Sequence, residues 1–252
     1  MRLFMIITSL DNATVKSVAK LRNKKYRDEQ GKYLIEGLRS VKDSFPYLSE
    51  PLLVFSESGF AQHGDCFENC EKIVCTDTVF NKIADTENSQ GIICVAKKQS
   101  IAPNFTCDRA LFLDRVRDPG NMGTIIRTAL AVGFNDIYCR DCVDVYNPKV
   151  VRSAMSAVSR VNTYEVDEQF LSSLKENGYT VLCADMQGES IFEYNTESEK
   201  LCLVLGNEAN GVDDSVLSQS DTVISLPMQE AESLNVGVCA SVMMYQLRYA
   251  KR

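Results

Sequence analysis

Among 252 residues there is a single histidine, His63. A structural zinc site usually needs histidines or a second cysteine pair at set spacings. The ten cysteines are scattered: Cys66, Cys70 and Cys75 lie near one another, and Cys139 and Cys142 form one CxxC. No metal is expected, and the cysteines read as free thiols in a reducing compartment. Long apolar runs are also missing. None approaches the ~20 residues that a membrane span requires. The patch in "MRLFMIITSLDN" is too short for a signal h-region, and no small-residue cleavage site follows it. No membrane partner is expected, and a cytoplasmic location is. No GxGxxG occurs, which argues against a Rossmann dinucleotide site. No GK[ST] follows a glycine-rich turn, so there is no phosphate loop. Repeats and low-complexity segments are absent as well.

What remains is ordinary soluble composition, 45% apolar and 24% charged. The net charge of −7 argues against a general nucleic-acid coat, but distribution matters more than the sum. Between Lys16 and Lys32, "KSVAKLRNKKYRDEQGK" sets Lys16, Lys20, Arg22, Lys24, Lys25, Arg27 and Lys32 against only Asp28 and Glu29. The run is either a solvated helix face and turn or a local phosphate-binding patch on an acidic protein.

A polar stretch with Pro103, "KKQSIAPNFTCDRA", marks a boundary. It divides the chain into domains over 1–100 and 106–252. The first reads as mixed α and β, with strand-like "LLVFS", "KIVC" and "GIICVA", a strand turning into a helix in "YLIEGLRSVKDSF", and helices around Val15–Leu21 and in "DTVFNKIAD". The second alternates regularly. Its strand candidates are "ALFLD", "DIYC", "VNTYEV", "YTVLCAD", "LCLVLG" and "TVISL", with helices expected over 121–132, 148–158, 167–176, after Asp213 and from about Leu234. Such alternation indicates an α/β fold with a mostly parallel sheet. Ligands in these folds sit beyond the carboxyl ends of the strands, which directs attention to three exits.

The first exit is "LDRVRDPGNMGTIIRTA". Pro119 and Gly120 turn the chain and Asn121 is a candidate helix cap. Ile125, Ile126, Ala129, Leu130 and Val132 gather on one helical face. Arg127 falls opposite, among Gly123, Thr124, Thr128 and Ala131, with no acidic residue on the helix. That face suits a ligand or a second chain, or is a quiet surface bearing one arginine. The second exit, "LVLGNEANGVDDSVL", places Gly206 directly after Leu205 and puts Glu208 two residues on. The third, "ISLPMQEAESLNVGVCASVMMYQLRYAKR", ends its strand at Leu226–Pro227 and offers Ser233 as a helix cap. The helix that follows is apolar nearly all round and so is buried, by its own domain or by another subunit.

In this order and at these spacings, Asn121-x-Gly123-x3-Arg127, "LVLGNEANGV" and "LPMQEAESLNV" resemble the SpoU (TrmH-like) branch of the SPOUT methyltransferases. The N-terminal "ITSLDNATVKSVAKLRNKKYRDEQGKYLIEG" is similar to the small RNA-binding domain that many members carry. The resemblance implies an S-adenosylmethionine-dependent RNA ribose 2′-O-methyltransferase. It implies a trefoil-knotted C-terminal α/β domain, a homodimer with the active site at its interface, and a small N-terminal α/β RNA-binding domain. By the same resemblance, Leu205, Gly206, Leu226, Leu234 and Asn235 hold the cofactor. Arg127, Asn121, Glu208, Ser233 and Asn235 form the catalytic set, with Arg127 acting on the 2′-hydroxyl either as base or as charge stabiliser. Lys24, Lys25, Arg27, Arg127 and Arg152 contact RNA. Ribosomal RNA is expected ahead of transfer RNA, with a non-catalytic RNA-binding or assembly factor as the alternative. The chain departs from the family in two places. "QEAE" stands where a glycine-bearing loop one residue longer is usual, and Ala154 and Ser156 replace a Ser and Gly in "NPKVVRSAMSAVSR".

Overall fold

Strand alternation with intervening helices builds two sheets, seen in a computed structural model that describes residues 6–195, 198–230 and 233–249. By their contacts the residues divide into two units. One comprises Met1–Lys98 with Tyr146–Ser159, the other Gln99–Val145 with Arg160–Arg252.

The first unit runs β1 (Ile6–Ile7), α1 (Ala13–Lys20), α2 (Lys24–Gln30), β2 (Lys32–Glu36), α3 (Leu38–Ser44), β3 (Leu52–Ser56), α4 (Glu57–His63), β4 (Glu71–Cys75), α5 (Asp77–Ile83) and β5 (Ile92–Lys97). Its sheet has the order β1-β4-β3-β5-β2, parallel over the first three strands and antiparallel over the rest. Val15, Val18, Leu21, Val79, Phe80 and Ile83 pack on Val54 and Ile93 to form one core. The basic run makes two helices, each capped by an asparagine: Asn12 accepts from Thr14 N and Val15 N, and Asn23 from Lys25 N. The short helix α4 is additional to the elements predicted. Of the apolar first patch only Ile6–Ile7 is a described strand; residues 1–5 lie outside the described set.

The second unit begins with β6 (Arg109–Asp114), α6 (Pro119–Val132) and β7 (Asp136–Arg140). The chain then leaves it for α7 (Pro148–Ala154) and returns for β8 (Asn162–Glu165), α8 (Phe170–Glu176), β9 (Tyr179–Ser190), β10 (Lys200–Leu205), α9 (Asp214–Leu217), β11 (Thr222–Ser225) and α10 (Val236–Tyr249). The six strands lie in the order β11-β9-β10-β6-β7-β8, and every pairing is parallel. The six predicted strands are therefore all present, and the sheet, expected to be mostly parallel, is wholly so. The order reverses direction between β6 and β10, and their exits adjoin there, where such folds open a crevice. One face is covered by a core that includes Phe112, Tyr138, Tyr164, Leu171, Val181, Val204 and Val216. On α6, Ile125, Ile126 and Ala129 are fully buried, and α10 packs along this helix. Between Val223 and Ile224 the register with β9 jumps from Cys183 to Glu189, so residues 184–188 bulge at the carboxyl end of β9.

Two expectations about organisation are corrected. Residues 146–159 were read as part of the second domain, yet they pack with the first unit: Tyr146 lies against Tyr33 with ring centroids 4.7 Å apart, and Arg152 pairs with Asp85. The helix expected over 148–158 stops at Ala154. Met155 adopts φ +57°, a left-handed conformation that an unbranched L-residue tolerates poorly, and a short 3₁₀ turn follows at Ala157–Ser159.

No described helix is long and apolar enough to cross a membrane. All ten cysteines are free thiols. Burial pushes the thiols of Cys75 and Cys183 up to about 11 and those of Cys94 and Cys202 higher. A disulfide reagent at about pH 8, followed by peptide mass mapping, will label exposed Cys66 first. The four buried thiols will react only after denaturation; rapid labelling of any of them in the native protein would contradict their placement.

Candidate functional site

The exit of β6 is shaped by a charge. Asp114, its last residue, is fully buried at the end of an otherwise apolar strand. Its carboxylate accepts from Arg140 Nη1 at 2.6 Å, from Arg115 Nε and Nη2 at 3.1 and 3.0 Å, and from the main-chain N–H of Asp213 at 2.9 Å. Arg115 takes a left-handed φ of +57°, and its second guanidinium nitrogen reaches Asp213 at 3.3 Å. The carboxylate holds the Arg140 guanidinium above its ordinary range. A buried carboxylate is tolerated because all these donors converge on it. It also ties the loop after β6 to the loop after β10, where Asp213 lies.

The loop after β10 closes on itself. Asn207 and Gly211 exchange two main-chain hydrogen bonds, at 2.9 and 3.0 Å, and Asn207 Nδ2 donates to Arg115 O at 2.9 Å. Gly206 is a glycine for this reason: a Cβ there would lie 2.3 Å from the main chain of Gly211 and Val212. The close approach at Gly206 is thus made by the chain's own turn.

On this base three of the predicted residues meet. Asn121 Nδ2 donates to Glu208 Oε1 at 3.0 Å, and Asn235 Nδ2 donates to Asn121 Oδ1 at 2.8 Å. Asn235 Oδ1 in turn accepts from Gly237 N and Val238 N, at 3.0 and 3.2 Å, capping α10. Glu208 also receives the main-chain N–H of Asp118 at 3.4 Å. The side chains therefore run Glu208–Asn121–Asn235, one from each of the three exits. Two capping assignments change. Asp118, rather than Asn121, caps α6, its Oδ1 accepting from Asn121 N at 2.8 Å with Pro119 in the first turn. Asn235, rather than Ser233, caps α10; Ser233 is exposed and makes no hydrogen bond to another described residue.

Arg127 lies farther along α6. It is exposed and has neither an acidic partner nor a hydrogen bond among the described residues. The small face around it is partly explained by α10. Thr128 Oγ1 meets Ser241 Oγ at 3.0 Å, and a Cβ on Gly237 would come within 3.2 Å of Thr124. Arg117, before the α6 cap, is likewise exposed and unpaired among the described residues. Leu205 is buried at the end of β10 and Leu226 follows β11, whereas Leu234 is exposed. Gly206, Leu226 and Leu234 make no main-chain hydrogen bond to another described residue. Buried main-chain groups are nearly always paired, so those of Gly206 and Leu226 are the available donors and acceptors at this edge. The "QEAE" loop falls partly on residues 231–232, which lie outside the described set.

The helix α10 was expected to be buried all round. Val236, Ala240, Met243 and Met244 are buried. Val238, Val242, Tyr245 and Tyr249 are 48%, 39%, 51% and 62% exposed, and they form an apolar stripe at i, i+4, i+7 and i+11. A groove of about 500 Å³ runs beside Val242, Tyr245 and Tyr249.

In the first unit, Lys24 and Lys25 are exposed as expected of RNA contacts. Arg27 is corrected: it is 2% exposed, and its Nη1 donates to Leu21 O at 2.9 Å and Arg22 O at 2.7 Å, bracing the turn between α1 and α2. Arg152 is half-buried and engaged by Asp85. Asp114, Arg140, Asn207 and Asp213 were not singled out in the sequence. An aspartate closing the apolar run "ALFLD" was the one available signal.

Residues 108–245 match the model of the SpoU rRNA Methylase family, and residues 12–94 match an MRM3-like substrate binding domain. The chain is 31% identical to a 23S rRNA (guanosine(2553)-2′-O)-methyltransferase of Bacillus subtilis, covering 96% of this chain and 98% of that protein. It superposes with a TM-score of 0.85 and 26% identity on an AdoMet-bound rRNA methyltransferase from Sinorhizobium meliloti, over 97% of both chains. An RNA 2′-O ribose methyltransferase matches with a TM-score of 0.78 at 25% identity, over 96% of this chain and 97% of that one.

The Asp114 cluster yields a stability test. Asp114→Ala leaves two guanidinium groups facing a buried site and will cost about 3–5 kcal/mol, read as a lowered urea midpoint. A midpoint equal to wild type would show that the cluster does not hold the two loops.

Proposed function

The chain belongs to the SpoU rRNA methylase family, and on that footing we propose that it transfers a methyl group from S-adenosylmethionine to a ribose 2′-hydroxyl of ribosomal RNA. The observation that carries this reading is the side-chain run Glu208–Asn121–Asn235, which joins the three family elements, with Arg127 on the same helix as Asn121 and without an acidic partner among the described residues. The preference for ribosomal over transfer RNA rests on the similarity to the 23S rRNA enzyme across nearly the whole of both chains.

The residues present fit the cofactor. The main-chain groups of Gly206, Leu226 and Leu234, which make no hydrogen bond to another described residue, lie after β10, after β11 and before α10, and suit the hydrogen-bonding edge of an adenine and its ribose. Leu205 and Asn235 complete that set. When bound, S-adenosylmethionine supplies a methyl group already activated by its sulfonium. The protein's own contribution is then alignment and charge. Asn121, fixed at both ends of its amide, sets the spacing of the three loops. Glu208 is held through Oε1 by Asn121 and Asp118, and its Oε2 accepts from Asn207 Nδ2 at 3.4 Å. Arg127 donates to the substrate phosphate and to the 2′-oxygen as its proton leaves to water. A guanidinium has five donors and no acceptor, so Arg127 acts as a stabiliser of developing negative charge rather than as a base. Ser233, exposed beside Asn235, is assigned to the RNA side of the site.

The finer architecture is part of the same proposal. The exposed stripe of Val238, Val242, Tyr245 and Tyr249 is the homodimer interface, since an apolar ridge of this kind on a helix calls for a covering partner. The path from β11 to α10, which returns to pack on α6 and β10, is read as the trefoil knot. Residues 106–252, less 146–159, are the catalytic domain, and 1–100 together with 146–159 the RNA-binding domain. The protein acts in the cytoplasm.

Methyl transfer from labelled S-adenosylmethionine to ribosomal RNA of a strain lacking the gene tests this directly. Arg127→Ala will lower the transfer rate by about 10²–10³-fold, while calorimetry finds cofactor affinity within about twofold of wild type. Undiminished transfer by this variant would remove Arg127 from its assigned role.

A further inference from the structure

We propose that Lys20, Tyr26 and Lys25 form a stacking platform on the first unit for an unpaired nucleotide of the RNA, the tyrosine taking the base and the lysines its flanking phosphates. This rests on the reading that the chain acts on RNA, and it names which surface of the first unit does the holding and what form of RNA it selects.

The cations of the basic run are not equivalent. Lys16 is neutralised by Asp11 at 2.7 Å. The guanidinium of Arg22 is spent on the carbonyl of Ala84, and that of Arg27 is buried in the turn. Lys25 meets Glu29 only at 3.9 Å, with both side chains largely exposed, a separation at which such pairs contribute little. Lys20 has no acidic partner among the described residues. What Lys20 and Lys25 share is a ring. Their ammonium nitrogens lie 5.2 and 5.9 Å from the centroid of Tyr26, within cation–π range. Tyr26 is half-buried, and its hydroxyl makes no hydrogen bond to another described residue.

The fold holds these three together. Lys20 ends α1 and Lys25 and Tyr26 open α2, with the turn Leu21–Asn23 between them. Arg27 braces that turn from inside by donating to the carbonyls of Leu21 and Arg22. Val15, Val18 and Leu21 anchor α1 in the core, which leaves Lys16 and Lys20 on its outer face. Arg27, expected to touch RNA, is instead a positioning residue for the side chains that do. An aromatic ring flanked by unneutralised cations matches both chemistries of an unstacked nucleotide, a π face and an adjacent phosphate. When a base takes the ring, the ammonium resting on it is released to the phosphate. A duplex offers no free base face, so the platform favours single-stranded or looped RNA.

The test uses the full chain and two fluorescent probes read by anisotropy at fixed salt: an oligouridylate of about 12 nucleotides and an RNA duplex of the same length. Wild type is expected to bind the single strand more tightly. Tyr26→Leu will weaken that binding about tenfold and leave duplex binding within about twofold, whereas Tyr26→Phe will keep wild-type affinity for both. Lys20→Gln will weaken binding and lower the slope of log affinity against log salt by about one. An unchanged thermal midpoint in Tyr26→Leu separates loss of contact from loss of fold. No binding of the oligouridylate by wild type, or an equal loss on both probes in Tyr26→Leu, overturns the proposal. Its failure is distinct from failure of the methyl-transfer reading, because binding is measured without cofactor and transfer is measured on ribosomal RNA.

Discussion

The amide of Asn121 is the joint on which the second unit's working edge depends. It donates a hydrogen bond to Glu208 and accepts one from Asn235, and so engages loops that lie 87 and 114 residues away in sequence. No other side chain of this size offers a donor and an acceptor back to back. A carboxylate would face Glu208 with like charge, and a leucine would leave both partners unpaired. The consequence reaches α10, because Asn235 also caps that helix. The start of α6, the exit of β10 and the start of α10 are therefore positioned by a single line of hydrogen bonds.

Beneath this joint a second and more deeply buried one carries the same loops. Asp114 ends β6 inside the protein and fixes Arg115, Arg140 and the main chain of Asp213. The two arginines nearest the strand ends are thus committed to structure, and Arg127 on the next helix is not. That contrast separates arginines used for folding from one available to a substrate. The first unit repeats the distinction: Arg27 is buried to hold a turn, while Lys20 and Lys25 remain outside on a tyrosine.

Much of the second unit was legible in the sequence because a parallel strand buried on both faces is a short apolar run bounded by turns. All six strands were read that way. The boundaries that failed were decided by side chains whose alternatives are chemically equal. Asp118 and Asn121 are both good caps, as are Ser233 and Asn235, and only the position of partner N–H groups chooses between them. The end of α7 depends on a left-handed Met155 that no local pattern announces. Arg27 was misread because a cation in a basic run shows no sign of burial until the carbonyls it serves are known. Asp114 was overlooked for the related reason that its partners come from elsewhere in the chain, Arg140 from β7 and Asp213 from the loop after β10. The return of residues 146–159 to the first unit rests on Tyr33 and Asp85, over 60 positions earlier, and was equally out of reach. The three ordered motifs were legible as a set; that they meet through Asn121 was not.

The central claim is that this edge modifies ribose in ribosomal RNA. Mapping 2′-O-methyl groups across cellular RNA, with and without the gene, tests it most directly. The account predicts that one ribosomal nucleotide, or a small defined set, loses its methyl group and regains it when the wild-type gene is restored, but not with Arg127→Ala. An unchanged ribosomal map, or a loss confined to transfer RNA, would contradict it.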